Sequence, residues 1–198
     1  MKSQMKIVII DYGAGNIQSI KFAIQRLGYE AVLSDDPGEI KGADKVIFPG
    51  VGEASSAMTK LRNTSLDKII PDLKQPVLGI CLGMQLMCNY TEEGDTKGLG
   101  IFNVDVIKFN NHVKVPQIGW NQIENLKTEL FKDVKEKEYV YLVHSYYAPL
   151  TVDTISNSSY GVEYSTALQK DNFFGTQFHP EKSSVAGEKI LGNFISLK

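Results

Sequence analysis

Short apolar runs alternate with amphipathic segments through residues 7–90 of the chain. The run at 7–10 has the length and composition of a strand that is buried on both faces. Between the runs, apolar residues recur at the three- and four-residue spacing of a helix. The predicted strands are 7–10, 30–33, 45–48 and 76–80, the predicted helices are 16–27, 54–63 and 82–90, and a turn is predicted at 35–38. This alternation predicts a parallel sheet with helices on both of its faces.

The pattern changes in the second half of the chain. Residues 98–164 are richer in Val, Phe, Tyr and Asn, and short alternating runs such as 102–109 predict mixed or antiparallel strands there. A predicted strand at 173–178 and a predicted helix at 185–195 close the chain. Because no repeat, low-complexity tract or linker interrupts the sequence, we predict a single domain over residues 1–198.

The composition is that of an ordinary globular protein. Of the 198 residues, 42% are hydrophobic and 22% are charged, and the formal net charge is −2. Without a basic excess, nucleic acid is not expected as a partner. The longest apolar run, at 76–84, is too short to cross a membrane, and the polar residues 1–6 do not begin a secretory signal. We therefore predict a cytoplasmic protein, with Met5 as an alternative start to Met1.

A cysteine flanked by glycines follows the fourth predicted strand. In Gly-Ile-Cys-Leu-Gly, a strand enters and a helix leaves, as in a nucleophile elbow. The glycines remove side chains that would collide with a strained nucleophile, and the start of a helix favours a thiolate. Cys81 is thus a candidate nucleophile; the alternative is a buried cysteine whose glycines serve only packing. Cys88 lacks flanking glycines and is predicted to lie in the core in mid-helix, and two cysteines are too few for a disulfide scaffold.

A histidine and a glutamate follow the last predicted strand in Gln-Phe-His-Pro-Glu. In an extended segment, His179 and Glu181 share a face because they are two residues apart. A carboxylate beside an imidazole fixes its tautomer and stabilises the imidazolium, so this pair suits the base and the orienting group that a cysteine nucleophile needs. Taken alone, the tripeptide His-Pro-Glu is more typical of a solvated turn.

Two glycine-rich loops follow the first and third predicted strands. Pro-Gly-Val-Gly at 49–52 exposes backbone N–H groups that could stabilise an oxyanion, although an ordinary turn explains it equally simply. Gly-Ala-Gly-Asn at 13–16 resembles the start of a dinucleotide fingerprint, but Gln18 stands where the third glycine is needed, so nucleotide binding is not expected. The three histidines are widely spaced and no Cys-x-x-Cys pair occurs, so no metal site is predicted.

The three main motifs together resemble a known family. Pro-Gly-Val-Gly, Gly-Ile-Cys-Leu-Gly-Met-Gln and Gln-Phe-His-Pro-Glu, in this order, are similar to the motifs of the triad (class I) glutamine amidotransferases. The resemblance spans nearly the whole chain. It implies a flavodoxin-like α/β fold, with a mainly parallel central sheet, helices on both faces and an added mixed or antiparallel region. It also implies a catalytic triad of Cys81, His179 and Glu181.

Further segments narrow the resemblance to the glutaminase subunits of imidazole glycerol phosphate synthases. These segments are residues 11–16, 114–121, 143–147 and 179–183. The chain departs from that family's pattern at Gln117-Ile118, where His-Met is common. The resemblance implies hydrolysis of L-glutamine to glutamate and ammonia through a cysteine thioester, without a cofactor or metal. It further implies a heterodimer in histidine biosynthesis, in which the ammonia passes to a (β/α)₈ barrel cyclase subunit.

The same resemblance implies roles for further residues. The oxyanion would be held by N–H groups of Val51, Gly52 and Leu82. Glutamine would be contacted by Gly52, Gln85, Glu93, Ser145 and Tyr146. The partner interface would include Asn16, Trp120, Tyr141 and Lys182. The plainer alternatives are that Gln85 and Glu93 lie on a helix surface, and that Trp120 is buried while Lys182 is merely solvated.

Three other functions remain open at this point. Class I amidotransferase subunits also serve anthranilate, pyridoxal phosphate, carbamoyl phosphate or guanylate synthesis, although the Gly-Trp-Asn and His-Ser-Tyr-Tyr segments speak against these partners. A non-catalytic regulatory module would be expected to have lost a triad residue, and all three are present. A stand-alone cysteine hydrolase is the remaining alternative.

Overall fold

The computed structural model describes residues 5–13, 15–110 and 112–198. Ala14 of the first glycine-rich loop, the polar residues 1–4 and the start at Met1 lie outside the described residues. In chain order, the strands are β1 (Ile7–Ile10), β2 (Ala31–Ser34), β3 (Lys45–Phe48), β4 (Val77–Ile80), β5 (Cys88–Thr91), β6 (Thr96–Lys97), β7 (Phe102–Lys108), β8 (Gln117–Gln122), β9 (Tyr139–His144), β10 (Tyr146–Tyr147), β11 (Thr154–Ser159), β12 (Glu163–Lys170) and β13 (Phe173–Thr176). The helices are α1 (Ile17–Arg26), α2 (Pro37–Lys41), α3 (Ala54–Asn63), α4 (Leu66–Ile69), α5 (Leu82–Leu86) and α6 (Ser184–Ser196).

A seven-stranded sheet in the order β11-β12-β13-β4-β3-β1-β2 forms the centre of the molecule. The five strands from β13 to β2 pair in parallel, whereas β11 and β12 join the edge in antiparallel pairing. Since β13, β4 and β3 are neighbours and parallel, their carboxyl ends meet at one edge of the sheet. The segments that begin at Gln177, Cys81 and Pro49 therefore start side by side.

Helices cover both faces of the central sheet, as the alternation predicts. In β1, Val8 and Ile10 contact one core cluster and Ile7 and Ile9 contact the other, because successive side chains of a strand point to opposite faces. The first cluster includes buried side chains of α3, α4 and α5, and the second includes those of α1 and α6. The predicted α/β fold class is confirmed.

The predicted mixed region consists of a small sheet and a hairpin. Strands β10, β7, β5 and β6 form a four-stranded sheet, and β8 pairs with β9 as an antiparallel hairpin. A third core cluster joins the small sheet to β12 of the central sheet, with Phe109 stacked on Tyr147 at 4.5 Å between ring centroids and packed edge-on against Tyr164 at 5.6 Å. This region lies beyond the carboxyl end of β4 and supplies one wall of the site described below.

Two predicted elements are wrong. The helix predicted at 82–90 ends at Leu86, and the chain continues as β5. The reason is non-local: the Met87 carbonyl accepts from the N–H groups of Ile101 and Phe102, and the Cys88 carbonyl accepts from Gly100. Cys88 therefore lies in a strand rather than in mid-helix, although it is fully buried in the core as expected.

The turn predicted at 35–38 is the start of a helix. The Asp36 side chain accepts from the backbone N–H of Glu39 at 2.7 Å, and Pro37 occupies the first position of α2. An aspartate cap followed by proline is a favourable helix start, and the same residue types are also common in turns. By contrast, β3 and α3 begin and end at the predicted residues.

None of the helices among the described residues is both long enough and apolar enough to cross a membrane.

Candidate active site

Cys81 lies at a sharp turn between β4 and α5. Its backbone has φ 54° and ψ −111°, a conformation that is strained for a residue with a side chain. The turn is held from both sides, because the Cys81 N–H donates to the Thr176 carbonyl at 2.7 Å and the Cys81 carbonyl accepts from the Gln85 N–H at 3.2 Å. The sulfur is thereby fixed above the carboxyl end of the sheet.

The glycines around this turn allow two backbones to touch. A Cβ added at Gly83 would collide with the Phe48 carbonyl oxygen, and one added at Gly50 would collide with the Gly83 nitrogen. Helix α5 therefore begins directly against the end of β3. This packing brings the loop 49–52 beside the N–H groups at the start of α5, which is the arrangement that an oxyanion site requires.

His179 and Glu181 are hydrogen-bonded to each other. His179 Nδ1 lies 2.9 Å from Glu181 Oε1, and both side chains are almost completely buried. The segment is not extended throughout, as the spacing argument assumes, because Pro180 begins a 3₁₀ turn over Pro180–Lys182. The contact between Glu181 and the His179 imidazole is kept, because the 3₁₀ turn brings the Glu181 carboxylate back toward that ring.

The imidazole of His179 also interacts with the Cys81 sulfur. Burial alone would lower the pKa of His179, but hydrogen bonds to Cys81 and Glu181 and their negative charges raise this pKa from 6.5 to about 10. Because Nδ1 is occupied by Glu181, Nε2 is the nitrogen that remains for the sulfur. His179 therefore stands between the sulfur and the carboxylate, and its raised pKa favours the imidazolium form of the ring.

A cavity of about 450 Å³ opens over Cys81 and His179. Its lining contains every residue that the sequence predicted for the oxyanion and for glutamine, together with two of the predicted interface residues. The predicted residues in the lining are Asn16, Val51, Gly52, Leu82, Gln85, Glu93, Ser145, Tyr146 and Lys182. Trp120 and Tyr141 are not in the lining.

Two polar side chains offer acceptors at the cavity. Gln85 uses both N–H bonds of its amide, donating to the Tyr146 carbonyl at 3.0 Å and to Gln177 Oε1 at 2.8 Å, so its own oxygen remains to accept. Glu93 Oε2 accepts from the Ala54 N–H at 3.1 Å, and burial raises the pKa of the Glu93 carboxyl. Gln85 is buried and Glu93 lies outside the helix, so neither is a helix-surface residue.

The predicted interface residues fall into two groups. Asn16 lies inside the site, where its Nδ2 donates to Glu181 Oε1 at 2.9 Å and its Oδ1 accepts from Ser19 Oγ at 2.9 Å. Trp120 lies on the β8–β9 hairpin, 53% exposed, with its ring 5.9 Å from that of Tyr141. The alternative of a buried Trp120 is therefore wrong. Lys182 is exposed at the rim of the cavity.

Comparison with known proteins identifies the family. The family model described as glutamine amidotransferase class-I matches residues 8–197. The chain belongs to the class I glutamine amidotransferases.

Relatives within this amidotransferase family confirm the narrower resemblance. The imidazole glycerol phosphate synthase subunit HisH of Bacteroides fragilis (strain YCH46) is 53% identical over 98% of this chain and 100% of its own length. The HisH subunit of Pectobacterium atrosepticum is 45% identical over the same shares of both chains. The predicted family and the predicted enzymatic nature of the chain are thus confirmed.

Solved structures confirm the amidotransferase fold. A structure from Thermoplasma acidophilum, described as a putative GMP synthase subunit, superposes with a TM-score of 0.77 at 23% identity, covering 98% of this chain and 94% of that chain. A structure described as a glutamine amidotransferase superposes with a TM-score of 0.74 at 16% identity, covering 94% of this chain and 96% of that chain. At these identities the likeness establishes the fold alone.

A buried polar network at the wall of the amidotransferase cavity was not predicted. His144 Nδ1 donates to the Tyr146 carbonyl at 2.8 Å, and His144 Nε2 contacts the Gln117 amide at 3.0 Å. The Tyr164 hydroxyl reaches the same amide at 3.0 Å. The sequence carried one signal for this network, since Gln117 is a residue at which the chain departs from the pattern of the related subunits. The sequence alone could not reveal that Gln117 of β8 lies opposite His144 of β9 in the hairpin.

The buried His144 predicts an acid-sensitive stability. Burial, assisted by the charge of His179 and opposed by the Tyr146 hydrogen bond, lowers the pKa of His144 from 6.5 to about 4. Between these pH values the unfolded chain binds a proton that the folded chain does not. The free energy of unfolding should therefore fall as pH falls from 6.5 to 4, by about 1.4 kcal/mol per pH unit from this group. Urea unfolding at about pH 7, 6 and 5 measures the slope.

Substitution assigns that slope to His144. We expect His144→Gln to flatten the dependence of unfolding free energy on pH by about one proton. His112→Gln is the matched control, because His112 is exposed and lies outside the buried network. An unchanged slope in His144→Gln would contradict the assignment.

Proposed function

We propose that this chain is the glutaminase subunit of an imidazole glycerol phosphate synthase and passes ammonia to a (β/α)₈ barrel cyclase subunit in histidine biosynthesis. The whole chain would act as one amidotransferase domain in the cytoplasm. The observation that carries the proposal is the hydrogen-bonded pair of His179 and Glu181 beside Cys81, with Cys81 and His179 in the lining of a cavity of about 450 Å³. Full-length relatives bearing the HisH name support the choice of synthase.

The first half of the reaction forms a thioester. The Cys81 thiolate attacks the side-chain carbonyl carbon of glutamine, and the resulting oxyanion is held by the N–H of Leu82 and by the Val51–Gly52 loop. His179 then gives its proton to the leaving nitrogen, and ammonia departs. The raised pKa of His179 supports this step, because the proton it needs is already on the ring.

The second half of the reaction releases glutamate. His179, now neutral, takes a proton from water, which attacks the thioester carbonyl and restores Cys81. Glu181 keeps the imidazole oriented throughout, and Asn16 holds the same carboxylate oxygen that contacts the ring. The burial of both side chains limits the orientations that the ring can take.

The acceptors at the cavity suit the α-ammonium group of glutamine. The free amide oxygen of Gln85 and the carboxylate of Glu93 are groups that a primary ammonium would contact. Gly52, Ser145 and Tyr146 complete the proposed glutamine contacts. A pocket with these acceptors would favour an amino acid over a simple amide, because a simple amide would leave the acceptors without a charged donor.

The β8–β9 hairpin suits a protein partner. Ile118 and Trp120 are 63% and 53% exposed on the same face of β8, and Tyr139 is 55% exposed on β9. Aromatic side chains are enriched at protein interfaces. Ammonia gains a proton readily in water and then ceases to be a nucleophile, so a covered passage to the cyclase is chemically advantageous. Asn16, Trp120, Tyr141 and Lys182 are the proposed partner-facing residues.

Glutaminase assays with and without the cyclase test this proposal. Glutamate release is measured for the chain alone, with the cyclase subunit, and with the cyclase and its ribonucleotide substrate. We expect the rate to rise by about 5- to 150-fold in the last case, the range that a coupling of about 1–3 kcal/mol gives. An unrelated (β/α)₈ barrel protein is the control. Full activity of the chain alone, indifferent to the cyclase, would contradict the proposed partner.

A further inference from the structure

Gln177 is fully buried directly before the His-Pro-Glu segment, and the reaction described above gives it no role. Its backbone N–H donates to the Thr166 carbonyl at 2.8 Å, which fixes the residue at the end of β13. Its side-chain oxygen accepts from Gln85 Nε2 at 2.8 Å. The oxygen and the NH₂ group of an amide are bonded to the same planar carbon. A hydrogen bond that fixes the position of the oxygen therefore also fixes the direction of the Gln177 NH₂ group.

The Gln177 NH₂ group points at the candidate nucleophile. Gln177 Nε2 lies 3.8 Å from Cys81 Sγ. The Val143 carbonyl oxygen lies 3.7 Å from the same sulfur. The two neighbours favour opposite protonation states, because a thiol can donate to a carbonyl whereas a thiolate accepts from an amide.

We propose that Gln177 is a further active-site residue, which donates a hydrogen bond to the Cys81 thiolate and is held in the donating orientation by Gln85. This inference rests on the proposed function, since it assigns Cys81 as the nucleophile. When His179 takes the thiol proton, the sulfur can no longer donate to the Val143 carbonyl. The N–H of the Gln177 amide then donates a hydrogen bond to the negatively charged sulfur. No other group changes its protonation in this step.

Gln85 therefore has two tasks. Its oxygen faces the substrate, and its amide orients Gln177. Loss of Gln85 would release the Gln177 amide to turn, so that either its oxygen or its nitrogen could face the sulfur. A thiolate facing an amide oxygen is destabilised, because two negative ends meet in a buried site.

The rate at which iodoacetamide alkylates Cys81 reports the thiolate directly, without the cyclase or glutamine. The rate is measured from about pH 6 to pH 10 by mass spectrometry of the Cys81 peptide, in the full chain and in Gln177→Met and Gln177→Glu. We expect Gln177→Met to react about ten-fold more slowly at pH 7, as for the loss of one hydrogen bond to a charged group, and Gln177→Glu to react at least as slowly. All rates should converge at high pH, where the sulfur is ionised in every variant.

Convergence of the alkylation rates at high pH distinguishes a hydrogen bond to the thiolate from a purely structural role of Gln177. In a structurally damaged site, Cys81 would be alkylated slowly at every pH. Gln169→Met is the matched control, because Gln169 lies on β12 opposite Phe174, at the other end of the sheet. It should react like the unmodified chain. If Cys81 in Gln177→Met is alkylated at pH 7 as fast as in the unmodified chain, the role inferred for Gln177 is wrong, while the proposed function is unaffected. A Cys81 that is unreactive at pH 7 in the unmodified chain would overturn the proposed function as well.

Discussion

Replacement of Cys81 by alanine is expected to lower glutamine-driven synthesis by the complex by at least about 10⁴-fold, while synthesis supplied with ammonium salts continues. The sulfur is the only atom of the site that can form the thioester, so its loss removes the whole glutamine half-reaction. Synthesis from added ammonium salts does not need the Cys81 sulfur, because no glutamine has to be hydrolysed. Product formation is measured with each nitrogen source in the reconstituted complex of this chain and its cyclase.

Cys88→Ala is the matched control for this experiment. Cys88 is the only other cysteine of the chain and is fully buried in β5, where burial raises the pKa of its thiol well above the usual range. The substitution should weaken packing slightly and leave both activities in place. Equal loss of the glutamine-driven and ammonia-driven activities in Cys81→Ala would show that the substitution damages the complex rather than the chemistry.

Replacement of His179 by glutamine is expected to lower glutamate release by about 10³- to 10⁴-fold. Glutamine fills much of the same space but cannot carry a proton between the sulfur, the leaving nitrogen and water. The Cys81 thiolate also loses its neighbouring positive charge, so alkylation of Cys81 by iodoacetamide at pH 7 should slow in the same variant. Steady-state glutaminase rates of the complex and the alkylation rate are the two measurements.

His112→Gln is the control for this second prediction, since His112 is exposed and far from the motif in the sequence. Its glutaminase rate should match that of the unmodified chain. If His179→Gln kept more than about a tenth of the activity, proton transfer would have to come from another group, because one general acid-base residue contributes at least about 10²-fold.

Strands β1, β3, β4 and β13 of the central sheet could be predicted because they are buried on both faces. Lys45–Phe48 and Ala54–Asn63 have the predicted bounds, since three successive apolar residues after Lys45 and a helical pattern with clear ends leave little ambiguity. Strand β5 could not be predicted in this way. Cys88 and Tyr90 continue the helical spacing that starts at Leu82, whereas hydrogen bonds from residues 98–102 and pairing with β6 and β7 make this segment a strand.

The candidate triad could be predicted from residue types, but its assembly could not. Cys81 and His179 meet because β13 returns beside β4 after two antiparallel strands, and no local pattern indicates that return. The same holds for Asn16, whose hydrogen bond to Glu181 links residues 165 positions apart. Buried partners such as Gln177 and His144 were missed because a single polar residue carries no sign of what it contacts.

The proposed chemistry depends most directly on the reactivity of one sulfur toward a glutamine-shaped substrate. The chain is incubated with a glutamine analogue that carries an electrophilic side chain, and the modified peptides are identified by mass spectrometry. We predict covalent modification of Cys81 alone, which excess glutamine suppresses and which is absent from Cys81→Ala. Modification of Cys88 instead, or an unmodified Cys81 in the presence of the cyclase and its substrate, would contradict the proposed chemistry.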